Sequence, residues 1–218
     1  MRGLLFSQMS PPPELDAEFH DWYDNEHIPV RLALPGFGSA ARYRAVGEAT
    51  EYLVCYFIDD LAVLKTEAYD EIKRSPGART ARMLDAVSGF TRFTCELVAE
   101  AGSTAAGDLL VVHAVDVAPG QGPEFETRYA DAAAQLFATG AYERMQLYRS
   151  FGDNVGGPFT HLALYEIGED HDASTEAGER LAASVTIPSA VLGQAWWVYR
   201  AFHRAGPSAL ADSIDNPR

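Results

Sequence analysis

The order of structural signals in this chain is written twice, and that duplication limits the fold more than any other feature. Residues 3–9 (GLLFSQM) form an apolar strand-like run halted by Pro11-Pro12-Pro13, and residues 108–114 (DLLVVHA) form another, halted by Pro119-Gly120. A helical pattern follows each. Residues 14–27 set Leu15, Phe19, Trp22, Tyr23 and Glu26 on one face, and residues 122–138 set Phe125, Tyr129, Ala132, Ala133 and Leu136 likewise. Turns at Gly36-Phe37 and Gly140-Ala141 precede strands over 39–45 and 144–150, in which Tyr43 answers Tyr148. Strands over 52–58 and 160–167, helices near 61–86 and 173–192, and aromatic strands over 90–98 and 195–203 complete each half.

Each half therefore reads β-α-β-β-α-β, the ferredoxin-like order. The boundaries are 1–100 for the first repeat and 106–204 for the second. A small-residue linker (99–107, AEAGSTAAG) joins them, and 205–218 is expected to be a flexible tail. Tyr52–Ile58 (YLVCYFI) is apolar on both faces, as is 109–115 apart from His113. A sheet with one wet face alternates apolar and polar residues, so both faces of these strands must be covered. Packing the two sheets on each other satisfies that demand. The expected fold is α+β, two tandem ferredoxin-like repeats packed sheet to sheet as a pseudo-dimeric α/β barrel with a cavity between the sheets.

Composition narrows the function. With 218 residues, 47% hydrophobic, the chain can bury a core. Its net charge is −14 and acidic residues outnumber basic ones in both halves, which argues against nucleic-acid partners and anionic membrane surfaces. No uninterrupted apolar run approaches a membrane span or a signal peptide. Cys55 and Cys95 form no CxxC pair or disulfide framework, so the reading is of a reduced, cytoplasmic chain with both thiols in the core. The GxGxxA spelled by Gly36 to Ala41 precedes a strand and opens no helix, so it is no dinucleotide fingerprint; P-loop, GxSxG and HExxH patterns are absent.

The chemistry-bearing stretch is 18–31, EFHDWYDNEHIPVR. Pro29 is expected to end the helix, leaving Glu26 and His27 in its last turn, where the dipole favours an imidazolium. A histidine beside a carboxylate suits general acid–base work, and Arg31 is placed to hold an enolate or carboxylate. The same residues also suit a structural role, with His27 capping the helix and Trp22 filling the core. His20, Asp24 and His27 share a face, but their spacing is too long for one ion, and no metal is expected. The equivalent helix of the second half lacks the motif.

Together with Leu34-Pro35-Gly36-Phe37, that stretch resembles the first helix of dimeric α/β barrel proteins, nearest the EthD-like branch with its Trp…His-x-Pro ending. The resemblance implies small, often aromatic or polyketide-like substrates. It also implies activities ranging over cofactor-free monooxygenases, cyclases, dehydratases, lactone isomerases and decarboxylases, with heme enzymes in a separate branch. The expected catalytic residues are His27, Glu26 and Arg31. Trp22, Tyr23, Gln8, Tyr56, His113 and His161 are the expected substrate contacts, the last four from the barrel interior. His113 with His161 is an acid–base pair or, as the alternative, a source of a heme ligand, each also reading as a buried hydrogen-bonded histidine. The leading expectation is cofactor-independent acid–base catalysis of cyclase, dehydratase or isomerase type on a hydrophobic, oxygenated metabolite. The alternatives are a cofactor-free or heme-dependent monooxygenase, and a non-catalytic ligand-binding protein. A homodimer is compatible with either.

Overall fold

In the computed structural model, which describes residues 2–47, 51–102, 107–138, 140, 142–168 and 190–206, eight antiparallel strands close into one barrel. They are β1 (Gly3–Ser10), β2 (Phe37–Ala45), β3 (Tyr52–Ile58), β4 (Ser88–Gly102), β5 (Leu109–Val117), β6 (Arg144–Val155), β7 (His161–Ile167) and β8 (Val191–Ala205). The first four lie in the order β4-β1-β3-β2 and the last four in the order β8-β5-β7-β6. Two seams, β2 with β8 and β4 with β6, join these sheets edge to edge and leave no strand edge open.

The strands that read as apolar on both faces are covered on both. In β3, Leu53 and Cys55 point into the barrel, while Val54 and Tyr56 point out beneath helices. The interior holds side chains from all eight strands, among them Phe6, Tyr43, Phe93, Val112, Tyr148, Leu162 and Tyr199. Eight strands enclose a space that side chains just fill. The expected cavity between the sheets is thus a packed core. Of the four polar residues assigned to it, only Gln8 points inward, donating to the Tyr199 hydroxyl at 2.7 Å and accepting from Thr91 at 2.8 Å. Tyr56, His113 and His161 lie on the outer face, between sheet and helix.

Outside the barrel, α1 (Asp16–Trp22) and α2 (Ile28–Leu32) cover the first sheet, with α3 (Glu67–Arg74) and α4 (Ala78–Ala86) beside them. The helix α5 (Gly122–Phe137) covers the second. Phe19, Trp22, Tyr23 and Ile28 pack on Leu5, Met9, Val54 and Tyr56, and Phe125, Tyr129 and Ala133 pack on Val111, Leu147 and Tyr165. Burying each such side chain contributes about 1.5–3 kcal/mol.

Pro29 does not end the first helix. Residues Tyr23–His27 widen into a π-turn, in which the Ile28 amide bonds back to the Tyr23 carbonyl, and helix resumes through Leu32 with Pro29 in its first turn. A proline is tolerated there because its missing N–H falls where the ladder is already interrupted. The helix expected over 61–86 is broken at Ser75-Pro76-Gly77 into α3 and α4. Residues 99–102, expected in a linker, extend β4. The helix expected near 173–192 falls outside the described residues up to 189, and so do 207–218 of the expected tail. No helix among the described residues is long and apolar enough to cross a membrane.

Candidate functional site

The seam between β2 and β8 carries a cleft of about 430 Å³ on its outer face, lined by His20, Arg44, Tyr52, Arg200 and Phe202. Local structure puts each residue there. Arg42 and Arg44 alternate outward on β2, and a bulge opposite the Arg42–Tyr43 step turns both Phe202 and His203 of β8 toward the same side. His20 reaches down from α1, edge-on to Tyr52 and Phe202 with ring centroids 4.8 and 5.4 Å away.

Behind the cleft sits Arg42, buried to 1% exposure. A buried guanidinium requires partners, and breaking such a pair costs about 3–5 kcal/mol. Asp24 accepts from it, and its faces lie against the rings of Tyr23 and Phe202 at 4.6 and 4.8 Å. Its Nη2 is 2.8 Å from His20 Nδ1. Arginine only donates, so Nδ1 is the acceptor and the proton of neutral His20 resides on Nε2. Partial burial, and then the charge of Arg42, hold the His20 pKa below its ordinary value. The imidazole is therefore a neutral donor. Its Nε2 lies 3.7 Å from the Asp16 carboxylate, which itself accepts from the Tyr52 hydroxyl at 2.8 Å. His20 and Asp24 both spend themselves on Arg42, and no metal-ligand cluster occurs among the described residues.

The expected catalytic residues sit one turn further on. His27 is buried against Trp22 and Tyr23, with ring centroids 4.2 and 4.8 Å apart, and its ring makes no hydrogen bond among the described residues. Burial first, then Arg31 and Arg42, depress its pKa well below the ordinary value, so it is neutral rather than an imidazolium. Glu26 does not hold it. The carboxylate turns outward to Arg79, which also binds Asp21. Arg31 donates to the His27 carbonyl at 3.1 Å and lies over the Tyr56 ring at 5.6 Å. The Tyr56 hydroxyl is buried without a partner among the described residues. The structure thus gathers Trp22, Tyr23, His27, Arg31 and Tyr56 on one side of the first sheet, and separates Glu26, Gln8, His113 and His161 from them.

His113 and His161, the two candidate histidines of the second half, are fully engaged. His113 Nε2 donates to Gln194 at 2.9 Å, Nδ1 accepts from Tyr129 at 2.7 Å, and the ring stacks on Trp196 at 3.7 Å. Burial pushes its pKa down to about 4. His161 contacts Glu126 through Nε2 at 3.0 Å and Thr160 through Nδ1 at 2.9 Å. Neither imidazole offers a free lone pair, so neither fits an axial heme ligand. Burial raises the Glu126 pKa, but bonds from Arg149 and His161 outweigh it and leave it lowered.

From the sequence His20 is weighed only as a metal ligand, and Arg42, Arg44 and Arg200 are not singled out. A signal was present: three outward arginines on strands of a strongly acidic chain, two of them alternating on β2.

No protein-family model and no curated protein matches the chain. Solved structures do. An anthrone oxidase-like protein superposes with a TM-score of 0.63 at 14% identity, over 94% of this chain and 92% of its own. A monooxygenase-like protein from Fusobacterium nucleatum gives 0.61 at 10%, over 94% of each chain. A chlorite dismutase-like protein gives 0.60 at 12%, over 93% and 95%. At these identities the likeness is one of fold, which in this chain is a closed eight-stranded antiparallel barrel flanked by helices.

Proposed function

We propose that this chain is a small-molecule enzyme that stabilises an enolate of a hydrophobic, oxygenated substrate, and that the cleft at the β2–β8 seam is its active site. The observation that carries the reading is His20, a neutral imidazole whose proton is held on Nε2 by the buried Arg42 at the cleft wall. A donor fixed in place before the reaction is worth most where negative charge develops on a substrate oxygen. The Asp16 carboxylate beside Nε2 is the proton acceptor, and Tyr52 and Phe202 flank the substrate as aromatic surfaces. Enolisation of this kind serves cyclisation, dehydration or isomerisation without a cofactor. It serves equally a monooxygenase in which the substrate carbanion meets oxygen. The anthrone oxidase-like and monooxygenase-like neighbours favour that second outcome of the same chemistry.

The same strand order in both halves, and the matching ring pairs Phe19–Tyr23 and Phe125–Tyr129 at 5.0 and 5.2 Å, support reading the chain as two tandem ferredoxin-like repeats. The Trp22-to-Pro29 motif supports the EthD-like branch. A second location, His27 with Arg31 and Tyr56, is favoured by the orphaned Tyr56 hydroxyl and the unbonded His27 ring.

Anthrone is the test substrate. The wild-type protein is expected to accelerate deuterium exchange of its methylene protons, followed by NMR, and His20→Phe to abolish that acceleration with an unchanged circular dichroism spectrum. Wild-type exchange in His20→Phe, together with loss in His27→Gln, would transfer the site to His27. An oxygen electrode run on the same mixture separates oxygenation from non-oxidative chemistry.

A further inference from the structure

Resting on the cleft as the substrate site, we propose that its substrate carries a carboxylate next to an aromatic ring, and that Arg44 and Arg200 clamp the carboxylate. The two arginines are direct cross-strand partners at the β2–β8 seam and both line the cleft. Directly opposed side chains have Cβ atoms only about 5 Å apart, and like charges there destabilise the sheet. Partial relief reaches one of them. Arg44 meets Glu51 at 3.2 Å in an exposed pair and leans over Tyr52 at 5.7 Å. Arg200 has no ion pair among the described residues.

The molecule supplies its own comparison. At the other seam, between β6 and β4, the register places Arg149 opposite Glu96. Arg149 is also held by Glu126, which binds His161 as well. Arg149 pairs across its hairpin with His161 as Arg44 pairs with Tyr52. One seam is therefore neutralised from within by opposite charges. At the corresponding place of the other, the chain sets arginine against arginine beside an open cleft. An oxyanion supplied from outside resolves that repulsion. A carboxylate accepts from both guanidinium forks at once, while Tyr52 and Phe202 take the adjoining ring and His20 faces the reacting oxygen.

Naphthoate and its uncharged isostere naphthamide are suitable probes, titrated calorimetrically against the full chain. Naphthoate is expected to bind at least about tenfold more tightly than naphthamide. Arg200→Gln is expected to weaken naphthoate by about tenfold, with naphthamide unchanged. Arg200→Glu, which copies the charge pattern of the other seam, is expected to abolish naphthoate binding while raising the melting temperature of the unliganded protein. That rise is a readout which a merely structural Arg200 would not give. Equal binding of the two probes, or a lower melting temperature in Arg200→Glu, overturns the clamp and leaves the enolate chemistry at His20 standing. No binding of either probe overturns both.

Discussion

At the residue scale, the histidines are the informative groups. Burial depresses the pKa of His20, His27, His113 and His161 in the folded chain. Each is neutral when folded and takes up a proton more readily when unfolded, so each contributes stability above about pH 6.5 that is lost as pH falls. For His113, lowered to about 4, the contribution is roughly 3 kcal/mol at neutral pH and disappears between about pH 6.5 and 4. Glu166 works in the opposite direction. Burial raises its pKa despite Arg144, so its contribution fades as pH rises above the ordinary carboxylate range. Urea unfolding of His113→Gln between pH 4.5 and 6 should show a slope of stability against pH smaller by about 1.2 kcal/mol per pH unit, a little under one proton's worth. An unchanged slope would mean that His113 is not the proton-linked group. Sequence alone marked His27 as a titratable residue. Its protonation state depended on Trp22 and Tyr23 closing over it, which no local pattern records.

At the element scale, the first helix shows how a proline can mislead about a boundary. Proline in a helix interior ordinarily costs about 3 kcal/mol, and on that rule the helix stops at His27. The π-turn at Tyr23–His27 absorbs the cost, because the ladder has already slipped by one residue where the proline amide would be needed. Pro29→Ala should therefore change stability by no more than about 1 kcal/mol in a urea titration, since it restores a donor without a waiting acceptor and loosens the unfolded chain. A gain of 2 kcal/mol or more would show that the proline is a strained break. Elsewhere the element reading was close. The strand over 52–58 coincides with β3, and α5 ends one residue short of the expected helix. Long β4 and β8 outran their aromatic cores, because seam pairing extends strands beyond what their own composition indicates.

At the scale of the whole molecule, the barrel makes the halves interdependent. The interior core draws on both, and each half alone would expose that face along with two unpaired edges. Residues 1–102 expressed alone should aggregate or self-associate, and co-expression with the remainder of the chain should yield a 1:1 complex on size-exclusion chromatography. A stable, monomeric first half would contradict a shared core. The proposed site also depends on a seam. Arg44 and Arg200 are 156 positions apart in the chain, and only closure of β8 on β2 makes them neighbours.

The order of the strands and the need to cover both sheet faces were legible in the residues, because they are statements about periodicity and apolar content. The direction each strand faces was not. A strand apolar on both sides has no preferred parity, and a one-residue offset reverses every side chain. Gln8 and His113 look equivalent when the halves are aligned, yet the first faces the packed interior and the second a helix. Barrel closure decided that parity, filled the expected cavity with side chains and moved the open space to a seam where distant arginines meet.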